Sequence, residues 1–502
     1  MLVAGVVRRF SAKSAERAAL GAGAIVADVI ACDDERPQHE QIDRVRRLRP
    51  DMVLIAGGVD GGAVVGVVEL AELLAAADPR PRFGRGFRLP VIFAGNRDVV
   101  PEVERVLAGR ADLHVVENLR PVIDGEQLGP AREKVHELFL GHVMQQAPGF
   151  GKLLGWTDAP VMPTPSAVGE ILRAAARRRG ISMLCVDIGG ATTAIFSVVD
   201  DQFNRTVSAN LGVSYSAAFV LEEAGLKNVS RWLPFEVDPG RLRDQVMNKT
   251  VRPTTIPDTL RELHVEQALA REALRLSFRQ HRAFATAVGG DLEDKSFDEA
   301  FSGAEVDASL VRPAELDLII GSGGVLSHAP LPAQTIAMMI DAFEPEGITR
   351  LAKDSIFMMP HLGVLSSVLP AAAESVFEQD CLIDLGTCVA PVGVAKPGRP
   401  CLSFSLERSG EILRGELVCG EIEAITVALG EEARLVVEPS RGFDVGNGPG
   451  KSLTARVRGG LCGIVIDCRG RPIVWPAASA GRVEAMRRWL EAFGILDGKQ
   501  EI

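Results

Sequence analysis

Cys185-Val186-Asp187-Ile188-Gly189-Gly190-Ala191-Thr192-Thr193-Ala194-Ile195-Phe196-Ser197-Val198-Val199-Asp200, CVDIGGATTAIFSVVD, is an apolar run broken by one acid, two glycines and two threonines and then resumed. The β-branched and aromatic residues on either side predict two strands and the glycines a turn, so the stretch reads as a hairpin and not as a strand-to-helix phosphate loop. Asp187 then stands at the tip of a buried strand, where an unpaired carboxylate is costly. One reading removes the cost. Glycines let backbone N–H groups approach phosphate oxygens, Thr192 and Thr193 add hydroxyl donors, and Asp187 can hold the waters around a Mg²⁺ ion that bridges phosphates. A hairpin whose aspartate only caps its own turn uses the same residues.

A second glycine turn lies further along, in Asp317-Leu318-Ile319-Ile320-Gly321-Ser322-Gly323-Gly324-Val325-Leu326. An apolar strand ends there and a helix is predicted from Pro332 to Ala342. Bare backbone at Gly321, Ser322, Gly323 and Gly324 can lie against the flat face of an adenine or ribose. Between the motifs, residues 240 to 310 read as mostly helical, with Thr259 to Ala285 the longest amphipathic stretch and Gly289 to Gly303 a polar excursion. A phosphate hairpin, a helical insertion, then a strand with a glycine turn and a helix is similar to the order found in the superfamily of sugar kinases, heat-shock chaperone ATPases and actin.

Upstream, to Ala94, the chain alternates strand candidates (Leu2 to Val7, Ala24 to Ile30, Met52 to Ala56, Pro90 to Ala94) with helix candidates (Ala12 to Leu20, Gln38 to Leu48, Val65 to Ala76). Such alternation means parallel strands with crossover helices. Ligands of these sheets lie at the carboxyl ends of the strands, and two strands end in glycine-bearing loops. Gly57, Gly58 and Asp60 belong to one, Asn96 and Arg97 to the other, and together they are placed to line a cleft. Tight strand-to-helix turns alone would also require the glycines.

The whole chain has 502 residues, 47% hydrophobic and 24% charged, the balance of a folded protein of several domains. A net charge of -11 argues against a nucleic-acid partner, which would select clustered Lys and Arg. Eight cysteines without a CxxC pair read as free thiols in a reducing compartment, with no zinc site. The opening MLVAGVVRRFSAKS has too short an apolar run for a secretory signal, and the apolar region Gly61 to Asp78 carries Glu69 and Glu72, so a cytoplasmic protein with no membrane partner is expected. Near Pro397 to Pro400 the pattern changes to short, closely spaced strands with Gly-rich turns, closed by a helix from Gly481 to Phe493.

PDMVLIAGGVDGG, PVIFAGNRD, VMPTPSAVGEILRAA, VDIGGATTAIFSV and LIIGSGGVLSHAP, in this order, resemble the glutamate mutase accessory proteins of the MutL or GlmL type, with coverage from about Leu2 to Gly393. The tail, including VGNGPGKSLTARVRGGLCGIVIDCRGRPIVWP, resembles the extension of longer members. The resemblance implies an α/β fold of two actin-like (ribonuclease H-like) ATPase lobes. The expected domains are 1–165, 166–397 with the helical insertion, and a β-rich 398–502. It also implies an ATP- or ADP-binding, chaperone-like reactivating factor for an adenosylcobalamin-dependent mutase, with no direct cobalamin site identified and self-association left open. Asp187, Gly189, Gly190, Thr192 and Thr193 would take the phosphate and, through water, Mg²⁺. Gly321, Ser322, Gly323 and Gly324 would take the adenosine side, while Gly57, Gly58, Asp60, Asn96 and Arg97 match motifs without an assigned job. Family members carry an Asp-x-Gly-Ser-Thr loop on the first strand of the first lobe, and this chain shows none, so Leu2 to Val7 is expected beside a missing central strand and hydrolysis is in question. A non-catalytic assembly subunit and a small-molecule kinase are the other readings.

Asp384-Leu385-Gly386-Thr387 superficially repeats the phosphate pattern, but Cys388 and Pro391 follow it, and a structural turn is the expectation. His328 and His361 read as polar loop residues, and Arg80 to Arg88 as a solvated loop.

Overall fold

The computed structural model describes residues 1–81, 88–123, 125–143, 148–159, 161–285 and 309–496. The chain divides into two compact units, the first built around Met1–Val161 and the second comprising most of the remainder. The polar excursion at 289–303 and most of the Arg80 to Arg88 loop lie outside the described residues.

In the first unit, β1 (Leu2–Gly5), β2 (Asp28–Ala31), β3 (Val53–Ala56), β4 (Leu89–Phe93) and β5 (Ala111–Val115) form a sheet in the order β2-β1-β3-β4-β5. Every pairing is parallel. The apolar strand sequences explain the double covering. Leu2, Ala4, Val53, Ile55, Val91 and Phe93 enter one core with Val67, Leu70 and Val103 of the helices Val65–Ala77 and Val100–Leu107. The alternate residues Val3, Leu54, Ala56 and Ile92 enter another with Ala15, Ala18, Ala131 and Val135 of the helices Lys13–Gly21 and Gly129–Leu138. Period-2 alternation sends successive side chains to opposite faces, and both faces are buried.

This arrangement corrects the expectation of an N-terminally incomplete actin-like lobe. β1 has hydrogen-bonded neighbours on both sides and stands next to no gap. The physical reason is in the connections. A helix separates each of the first four strands from the next, and a crossover helix returns the chain parallel, which excludes antiparallel hairpins. The order is that of doubly wound sheets, with a switch point between β1 and β3.

The second unit is organised on β6 (Met183–Ile188), β7 (Thr193–Val199), β8 (Gln202–Ser208), β9 (Leu318–Ser322), β10 (Gly347–Asp354) and β11 (Leu382–Ala390). β6 and β7 form the predicted antiparallel hairpin, with Ile188 opposite Thr193. β9 lies parallel to β6 on its other side and β10 parallel to β9. The long helix Leu260–Phe284 agrees closely with the amphipathic stretch predicted at Thr259 to Ala285. Asp384-Leu385-Gly386-Thr387 lies inside β11 at an irregularity of its pairing with β10, where Asp384 pairs with Arg350 and Thr387 donates to the Arg458 carbonyl. It makes no phosphate loop.

The tail contributes β12 (Pro400–Arg408), β13 (Glu411–Val418), β14 (Ile422–Ile425), β15 (Glu432–Pro439), β16 (Leu453–Arg458), β17 (Ile464–Asp467) and the helix Ser479–Ala492. It is β-rich as expected, but it is not packed separately. β17 pairs parallel with β11 and β14 antiparallel with β17, so both extend one sheet of order β14-β17-β11-β10-β9-β6-β7-β8. Only β13-β12-β15-β16 form a sheet of their own, and its core residues Phe404, Leu406 and Leu435 pack in one cluster with Val389 of β11 and Ile464 of β17. The composition break near Pro400 marks a change of strand length and turn chemistry, not a domain boundary at that point.

Candidate functional site

At the carboxyl ends of β6, β9 and β10 three polar residues stand in a row. Asp187 is in register with Ser322, and the Ser322 hydroxyl donates to Asp354 Oδ2 at 3.2 Å. Asp354 is fully buried and accepts the backbone N–H groups of Met358 and Met359 at 2.9 and 3.2 Å, which fixes the start of the helix Met359–Ser366. The Asp187 carboxylate, by contrast, accepts no hydrogen bond from any described side chain or backbone. Burial, and then the nearby Asp354 carboxylate, push its pKa up to about 6. An acid in that state favours either a proton or a cation with an oxygen-seeking charge, and hydrated Mg²⁺ fits it.

The hairpin tip is held from above by the segment before the helix Ala217–Ala224. Val213 and Ser214 donate their backbone N–H groups to the carbonyls of Gly189 and Gly190, and Ser216 Oγ donates to Ala191 O at 2.7 Å. Gly190 sits tight against this segment, since a Cβ there would stand 2.4 Å from Ser214 Oγ and displace that hydroxyl. Thr192 is exposed. Thr193 is buried and its hydroxyl donates to Leu211 O at 2.5 Å, so its side chain ties down the tip and is not presented as a phosphate donor.

The second glycine turn splits by role. Gly323 has φ +100° and a Cβ would lie 2.1 Å from Ile188 O, so it lets the β9 turn close onto β6. Gly321 is filled against by Met339 Sδ and Leu326, which makes it a packing glycine under the helix Pro332–Phe343. Gly324 is exposed with open space around it, at the start of the short helix Gly324–Ser327. Ser322 is engaged by Asp354, which corrects its placement on the adenosine side. Asp354 itself escaped the sequence reading; its signal was an acid ending the strand of Lys353-Asp354-Ser355 just before a proline-started helix, but only the register shows what it faces.

In the first unit the structure brings Gly57, Gly58, Asp60, Asn96 and Arg97 together at the carboxyl ends of β3 and β4. Arg97 Nε donates to Asp60 Oδ2 at 2.8 Å and Asn118 Nδ2 to Asp60 Oδ1 at 2.9 Å. Partial burial opposes ionisation of Asp60, but the bonds from Asn118 and Arg97 outweigh it and hold the carboxyl below its usual range. Asn96 is fully buried and its Oδ1 accepts from Asp98 N and Gly61 N, so it serves the loop backbone. A separate cluster in this unit joins Asp112 and His114 of β5 with His142, with His114 Nε2 3.1 Å from Asp112 Oδ2.

A cavity of about 700 Å³ in the second unit is lined by residues of the helices Pro239–Val251 and Leu260–Phe284. Its Lys249 and Glu266 pair with each other, and it contains none of Asp187, Ser322, Gly323 or Asp354. Volume and chemistry therefore point to different places, and the unpartnered carboxylate is the more specific signal. All eight cysteines are free thiols, and no described helix is long and apolar enough to cross a membrane.

Fold and site together define a mixed α/β protein with an all-parallel sheet in the first unit and a mixed sheet in the second, which carries an unpaired carboxylate next to two glycine turns. A family model described as MutL protein matches residues 1–381, and the chain belongs to that family, the glutamate mutase accessory proteins. Protein MutL of Clostridium tetanomorphum is 26% identical over 407 residues, 76% of this chain and 82% of that protein. Among solved structures, a nucleotide-free acetone carboxylase, from a study of ATP-dependent acetone carboxylation, is 12% identical with a TM-score of 0.22. The match covers 72% of this chain and 62% of the carboxylase chain, at a score too low to carry the fold.

Proposed function

We propose that the second unit binds ATP or ADP with Mg²⁺ and that the protein acts as an ATP-dependent reactivating partner of an adenosylcobalamin-dependent mutase. The observation that carries the nucleotide reading is Asp187. It is a partly buried carboxylate with no described hydrogen-bond partner, a raised pKa and a glycine turn following both its own strand and the neighbouring β9. The strand order β8-β7-β6-β9-β10, a hairpin followed by parallel strands with the helical insertion before β9, supports an actin-like lobe for this unit. Gly189, Gly190 and Thr192 would face the phosphates and Gly324 the nucleoside, with Mg²⁺ held through water by Asp187. Family membership supports a mutase as the partner. Calorimetric titration with ATP, with and without Mg²⁺, tests the site: Asp187→Ala is expected to remove the Mg²⁺-dependent gain in affinity, and equal affinities for both proteins would overturn it.

One observation favours a second reading, an assembly subunit that binds nucleotide without hydrolysing it. The first unit is an all-parallel doubly wound sheet, so its described residues offer no second phosphate hairpin of the β6–β7 kind. Phosphate release from ATP by the purified chain, measured with and without its mutase, separates the two.

A further inference from the structure

We propose that the first unit holds a ligand site of its own, at the switch point between β1 and β3, which takes the uncharged planar ring of a small molecule. A cavity of about 130 Å³ opens there, walled by Val6, Phe10, Ala56, Val59, Ala63 and Leu119 and floored by the Gly57-Gly58 backbone. Carboxyl-end crevices at switch points are where doubly wound sheets bind ligands. What the crevice takes is decided by its chemistry.

A phosphate or mononucleotide would need free backbone N–H groups at the first strand-to-helix turn. Here five of the N–H groups at that turn are spent internally. Val6 N donates to Ala56 O, Val7 N to Ser11 Oγ, Arg8 N to Asp33 Oδ1, and Phe10 N and Ala12 N both to Val7 O. In the second loop Asp60 N donates to Pro121 O, Gly61 N to Asn96 Oδ1 and Gly62 N to Val59 O. The polar side chains at the rim are also engaged. Arg120 stacks over the Phe10 ring at 4.0 Å and donates to Ser14 Oγ, Glu126 Oε1 and Ile123 O, while Asn118 Nδ2 donates to Gly58 O and Asp60. The walls that remain are apolar, and their volume is close to that of a dry cavity of about 150 Å³ that accepts benzene. One six-membered ring fits, with the rest of a larger ligand outside the mouth. The glycines cannot be widened into side chains to fill the space: a Cβ on Gly57 would lie 2.3 Å from Val6 Cγ2 and one on Gly58 2.5 Å from Ala63 O.

The site stands independently of nucleotide binding by the second unit, and its test is separate. Benzimidazole is the probe, followed on the full chain by ligand-observed saturation-transfer NMR and by thermal melting, with a parallel MgATP titration. Saturation transfer to benzimidazole and a rise in melting temperature are expected for the wild type. Ala63→Phe, at an exposed position on the mouth, and Val59→Phe, at another lining position of the same loop, should each weaken the probe by about tenfold or more while the MgATP titration is unchanged. Absence of binding to the wild type, undiminished binding to both variants, or displacement of benzimidazole by inorganic phosphate would each overturn the proposal.

Discussion

Asp187 has a carboxyl group whose neutral form the fold favours, because its surroundings exclude water and the Asp354 carboxylate lies close by. Its folded-state pKa of about 6 stands above the unfolded value of 3.8. Stability from this group is therefore complete below pH 3.8 and is lost as the pH rises through 6, at a cost of about 2–3 kcal/mol. Asp187→Asn should then be more stable than wild type at pH 8 and converge with it near pH 4, as read from urea melts; equal stabilities at pH 8 would contradict the shift. The glycines make a sharper contrast. Gly323→Ala drives a Cβ into Ile188 O at a positive φ and should cost several kcal/mol, whereas Gly324→Ala meets open space and should change the melting temperature little. Sequence pattern could mark both turns as glycine-dependent, because a hairpin and a strand end announce themselves locally. It could not tell a glycine that faces a ligand from one that lets two backbones touch, since the atom it touches is supplied by a strand far away in the chain.

Elements were the most legible level, and the helix Leu260–Phe284 shows why. Its apolar repeat is continuous and long, so a local pattern suffices to find it. What the pattern hides is that its last turn buries a histidine: His281 is fully buried and its Nε2 lies 2.9 Å from Ser197 Oγ on β7. Burial pushes the imidazole pKa down to about 3. The unfolded chain takes up a proton near pH 6.5, so this contribution to stability is present above 6.5 and is lost as the pH falls toward 3, to a maximum of about 4–5 kcal/mol. His281→Gln is expected to lower stability at pH 7.5 but to flatten the slope of stability against pH between 6.5 and 4, measured by chemical denaturation. An unchanged slope would mean that the ring is protonated in the fold. This dependence runs opposite to that of Asp187, so the two variants are distinguishable on one pH series. Strands β5, β10 and β12 were missed because polar or charged residues such as His114, Arg350 and Glu407 interrupt their apolar runs at positions that face ion-pair partners or solvent.

At the scale of the molecule, sheet membership was the least legible property, since it depends on which strands meet and not on what any one of them contains. The tail has the local character of an independent β module, yet β17 completes the central sheet beside β11 and brings charge into the interior. Arg469 is fully buried, donating through Nη1 to Asp341 at 2.7 Å and through Nε and Nη2 to Asp467 at 2.9 and 2.8 Å. Asp341 also accepts from Arg271, and Asp467 from Arg471. Burial alone would raise the Asp467 pKa, but Arg469 and Arg471 hold it well below the carboxylate range. Removing one partner of such a network leaves an uncompensated buried charge, at about 3–5 kcal/mol. Two proteins separate a stitched sheet from a detachable module: the full chain with Arg469→Met, and a chain ending at Pro397. The first should melt markedly lower but cooperatively. The second loses β14 and β17 together, exposes the apolar β11 edge and strips Asp341 of one of its two arginines, and it is expected to aggregate or to lose its cooperative melt. A soluble 1–397 chain that melts cooperatively and titrates MgATP like the full protein would show that the tail is dispensable to the sheet, and that the buried arginines secure the tail without supporting the site.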